Sequence, residues 1–567
     1  MCKFYHGPRG HTAMAVACTQ GCAYNSQGAK EGSLLRVVTV FNPHVTDEIA
    51  PVRTAAGLCE LRGASIGFVD NSKVNADIFI GRLKPLLQEL YGVRPGVTVR
   101  KLAPKDELSA ADLEALRKHD AVIQCFGDCG ASTSMSVTDG VRLESLGMPT
   151  ATVCSSAFYR AARFQAAGRG MVELPLIEIP HPMHTAPRPV VHQRAEAAVE
   201  VIAEALTKRS PNSQVNKEKR LPAELSLADE PSALQEFFFE RGWTDGLPVV
   251  APTHEAVRAM LLTVERDPEE LLGPVPPRMR MATLQKIAVN AVMAGCRPEY
   301  FPVVLAAVEA VLDDDCRLYG IQTATNTTAP LLIVNGPAIQ KLGLNARGNT
   351  FGQGCRANAS IGRALQLVLR NIGGDMPGET DMSTQGQTGK FTFCIAENET
   401  ENPWEPFHVE HGFKREDSTV TVIGASAGHN VFTYGCETGK EILDHLVGAM
   451  TALGHNNVIF PTGPFIVLGP EHAHTLARDG YGKPEIRRHV FEHARIPLSR
   501  FGARTVRGLR HRRSRWFAEV GDEDHIGVAD HPSHIHIIVA GGAGIHSQFV
   551  PTSFSYNPVT RPVRFKP

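Results

Sequence analysis

The chain has 567 residues, 43% of them hydrophobic and 21% charged, and its 58 Lys and Arg against 59 Asp and Glu leave a formal charge of −1. A chain this long divides into more than one domain, and so even a balance supplies no field for nucleic acid or a membrane surface, which makes small molecules the expected partner class. The 12 cysteines are too sparse for a disulfide scaffold, no apolar run nears the roughly 20 residues that span a bilayer, and Met1-Cys2-Lys3-Phe4-Tyr5-His6 has no signal-peptide core, so a reducing cytoplasm is expected.

Residues 1–33, rich in Gly and small polar residues, read as an arm. From residue 35 onward, strand-like apolar runs at 35–41, 64–69, 97–102, 121–126, 150–154 and 175–179 alternate with helix-like stretches at 76–90, 110–118 and 195–206. That alternation predicts an α/β domain over 34–208, a doubly wound parallel sheet whose ligands bind at the carboxyl ends of strands. Four polar clusters fall on such ends: Asp70, Asn71, Ser72 and Lys73; Cys129 to Ser134; Cys154 to Ser156; and His181 with His184. Residues 209–232, charged and without aromatics, read as a linker.

Residues 233–567 form a second, larger unit of α/β or α+β class. Pro330-Leu331-Leu332-Ile333-Val334-Asn335-Gly336-Pro337 is echoed by Pro464-Phe465-Ile466-Val467-Leu468-Gly469-Pro470, and Gly424 to His429 by Gly541 to His546. Matching order in both halves suggests two similar lobes with a shared cleft, although patterns this short also arise by chance.

The chemistry concentrates in Gly127-Asp128-Cys129-Gly130-Ala131-Ser132-Thr133-Ser134. This segment puts a cysteine in a turn between a buried strand and a helix start, where unpaired N–H groups favour the thiolate, the attacking form. Asp128 pushes the other way. An inert buried cysteine is the bland alternative. His181 and His184 flank Pro182 and are proton-donor candidates or capping residues; Lys73 is a thiolate or carboxylate partner, or solvated. Cys355 in its Gly-rich turn, and His429 and His546 after theirs, are candidate substrate contacts. The two C-x-x-x-C spacings, Cys18 to Cys22 and Cys125 to Cys129, are poor metal motifs, and there is no dinucleotide fingerprint or Walker loop, so neither metal nor cofactor is expected. The arginines from Arg500 to Arg515 read as a solvated or interface-lining segment, with an anion or phosphate contact as the sharper alternative.

The octapeptide, with Asp139-Gly140, Leu146-Gly147-Met148-Pro149-Thr150, Gly67 to Lys73 and Pro180-His181-Pro182, resembles the UGSC family of (seleno)proteins over residues 35–208. More loosely, it resembles the B subunits of glycine and proline reductases. The resemblance implies redox or nucleophilic work at Cys129, where relatives carry selenocysteine or cysteine. The family's second redox residue falls on Ser132, so Cys129 acts alone or is resolved by another thiol, with Cys154 as the candidate. The second unit resembles a partner protein often encoded beside UGSC proteins.

The leading expectation is therefore a thiol-dependent enzyme acting on a small organic substrate by reductive or thiol-exchange chemistry. Cys129 would attack, His181 or His184 would move the proton, Ser132, Thr133 and helix-start N–H groups would steady developing charge, and Cys154 or an external thiol reductant would release product. A non-redox lyase, dehydratase or hydrolase using the same thiol is the alternative, and a non-catalytic binding protein is a third. A homo-oligomer is left open.

Overall fold

The computed structural model describes residues 36–45, 51–209 and 222–566, so the expected arm at 1–33 and the Cys18 to Cys22 spacing lie outside the described residues. In chain order the first elements are β1 (Val37–Phe41), β2 (Ser65–Asp70), α1 (Ala76–Tyr91), β3 (Arg94–Arg100), α2 (Ala110–Leu116), β4 (Ala121–Gly127), α3 (Gly130–Ser145), β5 (Thr150–Ser155), α4 (Ser156–Ala167), β6 (Leu176–Ile179) and α5 (Arg188–Thr207). Strands β2 to β6 form one parallel sheet in the order β3-β2-β4-β5-β6.

Both faces of this sheet are covered, as its apolar runs require. Phe79, Leu83 and Leu87 of α1 and Val191, Ala198 and Ile202 of α5 close one core, while α2, α3 and α4 cover the other face. The fold is therefore doubly wound α/β. The chain leaves β2 for β3 on one side and then returns to β4 on the other, so the strand order reverses between β2 and β4. A crevice opens at the carboxyl ends of strands where order reverses in this way.

The expected first strand of this domain belongs elsewhere. β1 pairs antiparallel with Glu224–Ala228, and Val40 and Phe41 join the core of the second unit. The expected linker at 209–232 is likewise strand at 224–228; residues 210–221 lie outside the described residues.

The second unit contains two four-stranded sheets that repeat one pattern. The first runs Cys394–Ala396, Ala329–Asn335, Thr419–Ala425, Val559–Pro562; the second runs His536–Val539, Phe465–Leu468, His546–Val550, His429–Phe432. In each, the central strand pairs parallel on one side and antiparallel on the other, and an antiparallel edge strand completes the sheet. The edges are exchanged: His429–Phe432 follows a strand of the first sheet yet closes the second, and Val559–Pro562 does the reverse. Where the two crossings meet, Ser426 N–H donates to the Pro551 carbonyl at 2.8 Å and Ser553 N–H to the Gly424 carbonyl at 2.8 Å. Leu331, Ile333 and Ile423 pack against Phe465, Val467 and Val550 between the sheets.

The echo of 330–337 in 464–470 thus falls on equivalent central strands. The echo of Gly424 to His429 in Gly541 to His546 does not. The former segment follows an antiparallel strand and the latter a parallel one, because two apolar runs look alike in sequence whichever sense they pair in.

The units meet closely at the start of α3. A Cβ on Gly130 would lie 1.5 Å from the Thr323 carbonyl oxygen, and Arg169 donates to the Tyr319 hydroxyl at 2.6 Å. Among the described residues no helix is long and apolar enough to cross a membrane, and no three side chains are grouped to hold a metal ion.

Candidate functional site

Strand β4 is buried along its whole length and delivers the turn Asp128–Cys129 to the crevice between β2 and β4. Glycine is needed at 127, where a Cβ would sit 2.6 Å from Thr133 Oγ1 and 2.9 Å from Thr133 Cα. Cys129 is the N-cap of α3, in extended conformation at φ −163° and ψ 167°. Its sulfur accepts from the Ser132 backbone N–H at 3.4 Å and lies 3.2 Å from Ser132 Oγ. Ser132 Oγ in turn accepts from the N–H groups of Asp128 at 3.0 Å and Cys129 at 3.1 Å. The same contacts that cap the helix therefore hold the thiol in place.

Burial opposes ionisation of Cys129, but the Lys73 ammonium beside it and the two Ser132 contacts outweigh burial and lower the thiol below its ordinary range. The residue is half-buried. Other thiols go the opposite way: burial pushes Cys154, Cys296 and Cys316 up to about 12, and it raises Cys125 as well.

Asp128 was a candidate substrate contact; the structure turns it inward. Its carboxylate is fully buried and accepts from the backbone N–H groups of Met183 at 3.0 Å and His184 at 2.9 Å. His184 Nδ1 stands 2.7 Å and His181 Nδ1 3.0 Å from its oxygens, and Ser155 Oγ bridges to His181 Nδ1 at 3.1 Å. Burial would raise the carboxyl, but the bonds from Ser155, His184 and Met183 prevail and hold it below 3.8. A buried carboxylate that takes Nδ1–H fixes the tautomer and leaves Nε2 for a reacting group. Neither Nε2 has a hydrogen-bond partner among the described residues, and the His181 and His184 side chains are 32% and 44% exposed.

Of the β2 loop, only Lys73 reaches the thiol. Asp70 accepts from Ser72 N–H at 2.7 Å, Asn71 Nδ2 donates to the Phe126 carbonyl at 2.8 Å, and Ser72 is in the left-handed region at φ 60°. These three brace the loop against β4 so that Lys73 is presented. Asn75, at the start of α1, donates to the Met183 and Ala186 carbonyls at 2.7 and 3.0 Å, which ties the Lys73 loop to the histidine loop.

The remaining candidates have other placements. Thr133 Oγ1 lies 3.8 Å from Cys154 Sγ, and Ser134 Oγ donates to the Gly130 carbonyl at 2.8 Å, so both point into the helix packing. Cys154 is 1% exposed, behind Thr133. Cys355 lines a separate cavity of the second unit. His429 and His546 sit on the paired strands of its second sheet, where His546 stacks on Phe432 with centroids 4.8 Å apart. None of these three is in contact with Cys129 among the described residues.

Sequence reasoning missed the apolar side of the crevice. Val52, Tyr159 and Met382, like Cys129 itself, pack against the cluster of Val137, Cys154 and Phe158. Met382 comes from a loop of the second unit more than 250 residues away in sequence, and no local signal marks it. Ser155 lies in the expected cluster Cys154 to Ser156 at a strand end, where the structure places it.

Residues 39–208 match the UGSC family. No curated protein matches the chain. Among solved structures the chain is similar to the microcin C7 self-immunity protein MccF in its inactive mutant apo state, at 15% identity and a TM-score of 0.17, over 31% of this chain and 58% of that one. The chain thus spans less than two thirds of that protein, and so low a score carries no argument about function.

Proposed function

We propose that the chain is a thiol-dependent enzyme in which Cys129 attacks a small organic substrate at a carbon–heteroatom or sulfur bond. The observation that carries the reading is that Lys73 and Ser132 converge on the Cys129 thiol at the switch point of the sheet, while the adjacent Asp128 holds His181 and His184. In the attack, the Cys129 thiol gives its proton to Nε2 of His184 or His181, sulfur forms a bond to the electrophilic atom, the bond to the leaving group breaks, and that group takes the proton from Nε2. Release follows when an external thiol attacks the adduct. In the reductive version two thiols become one disulfide for each carbon–heteroatom bond replaced by carbon–hydrogen. We place this work in a reducing compartment such as the cytoplasm, where a free thiolate persists.

The second unit supplies the opposite wall through Met382 and Thr323. A non-redox reaction with the same thiol is the second reading. Two observations favour it: Ser132 stands where the resembled family has its second redox residue, and Cys154 is buried with its thiol pushed up to about 12.

Cys129→Ser is the test: the variant keeps its fold by circular dichroism and loses turnover on any substrate found by screening, whereas retained turnover rejects the assignment. Stoichiometric oxidation of added dithiol separates the reductive reading from the non-redox one.

A further inference from the structure

The two lobes of the second unit treat one equivalent position differently. In each, a helix follows the central strand and precedes its parallel partner, namely Arg356–Asn371 in the first lobe and Lys483–His493 in the second. Each helix is entered through a Gly-x-Gly turn, Gly352-Gln353-Gly354 and Gly480-Tyr481-Gly482. In the second lobe the space is closed by internal pairs: Lys483, 2% exposed, donates to the Glu405 carbonyl at 2.7 Å and the Glu410 carboxylate at 2.8 Å, with Arg487 on the same carboxylate. In the first lobe no such plug exists, and a cavity of about 580 Å³ opens instead.

The wall of that cavity carries cations and neutral polar groups, with no Asp or Glu among its lining residues. Tyr300 is only 5% exposed, yet its hydroxyl, on the cavity wall, makes no hydrogen bond among the described residues. The hydroxyl itself opens to the cavity and is not sealed in the protein, which leaves it free to donate to a ligand oxygen. Arg297 and Arg356 lie around the same phenol. Arg356 gives Nε and Nη2 to the Gly295 carbonyl at 3.1 and 2.9 Å, which fixes its guanidinium and leaves Nη1 without a partner among the described residues. Arg297 has only a loose pairing to Glu299, at 3.8 Å. Asn345, Asn349 and Gln353 complete the polar lining.

We infer that this cavity is a second small-molecule site, separate from Cys129, which binds an oxyanion-bearing ligand, carboxylate or phosphate, through Tyr300, Arg297 and Arg356. The fixed Arg356 guanidinium, with Arg297 nearby, suits the oxygens of either anion, and the phenol donates to one of them. The site stands whether or not Cys129 is catalytic.

Cys355 lines the cavity and serves as a reporter. The intact chain is labelled with N-ethylmaleimide, alone or with millimolar pyrophosphate, citrate, or chloride at matched ionic strength, and labelling at Cys355 is followed by peptide mass spectrometry. Saturable protection by pyrophosphate identifies a phosphate ligand and protection by citrate a carboxylate ligand, with none from chloride. Titration calorimetry with the same two anions gives one site per chain, with Kd raised about tenfold in Tyr300→Phe and in Arg297→Ala, the loss expected for one charged or buried hydrogen bond. Unchanged labelling with both anions and no heat of binding, or equal protection by chloride, overturns the inference.

Discussion

The His184 imidazole Nδ1 stands 2.7 Å from the Asp128 carboxylate, and Asp128 is the residue immediately before the Cys129 thiol. One turn therefore carries both the proposed nucleophile and the group that orients its proposed proton carrier. Because that carboxylate also takes the backbone N–H groups of Met183 and His184, the position of the histidine loop and the tautomer of its rings are set by the same two oxygens.

Asp128→Asn tests this coupling. The amide places an N–H against donors that need an acceptor, at a cost of about 2–3 kcal/mol in urea unfolding at pH 7. The folded pKa of Asp128 lies below its ordinary 3.8, so its stabilisation is complete above that value and fades as pH falls through the lowered one. The deficit of the variant is accordingly largest near neutrality and shrinks in acid. Turnover falls by orders of magnitude, while Cys129 remains in place for alkylation.

Lys73→Met removes the cation beside the thiol and leaves burial in command. The pH profile of Cys129 alkylation moves to higher pH, and the rate at neutrality falls severalfold. Lys73→Arg restores most of the rate. An unshifted profile in the methionine variant would assign the activation to Ser132 and the helix start.

Much of this arrangement was legible in the sequence because it is local. The apolar run 121–126 followed by Gly127-Asp128-Cys129 and three cap-type residues marks a strand, a turn and a helix start within fifteen residues, and each element forms for reasons contained in that stretch. The role of Asp128 was not legible, since a carboxylate beside a cysteine reads as repulsion until the histidine loop, over 50 residues on, folds across it. β1 was misplaced for a related reason. A five-residue apolar strand fits any open sheet edge, and its partner at 224–228 lies beyond a charged stretch that reads as linker. The exchange of edge strands in the second unit is a long-range pairing of the same kind.

Gly130→Ala probes the contact between the units. Its Cβ would lie 1.5 Å from the Thr323 carbonyl oxygen, and backbone cannot yield as a side chain does, so the two units must part at the start of α3. A loss of about 1–3 kcal/mol is expected, read as a lower Tm, together with faster alkylation of Cys129 as Met382 withdraws. An unaltered Tm would place the two units further apart than they stand.

Asp375 gives a pH signature within the second unit. Burial, with Asp381 nearby, pushes its carboxyl up to about 8, and its Oδ1 is buried without a hydrogen-bond partner. The folded state then holds a proton that the unfolded chain releases near 3.8, so stability is lost as pH rises between those values. Asp375→Asn removes the penalty: the variant matches the parent near pH 4 and exceeds it at pH 8 by about 1–3 kcal/mol in urea unfolding. Equal stability at both pH values would show that the carboxylate is solvated.

The central claim is that one thiol is set apart from the rest, and site-resolved alkylation measures that directly. The intact protein is treated with iodoacetamide across pH 5–9, an interval covering the titration range of thiols, and each cysteine is quantified by peptide mass spectrometry. Cys129 should react at neutral pH faster than the exposed Cys59 and faster than free glutathione, with a midpoint below both. A Cys129 that labels no faster than these, or only when the protein is unfolded, contradicts the account.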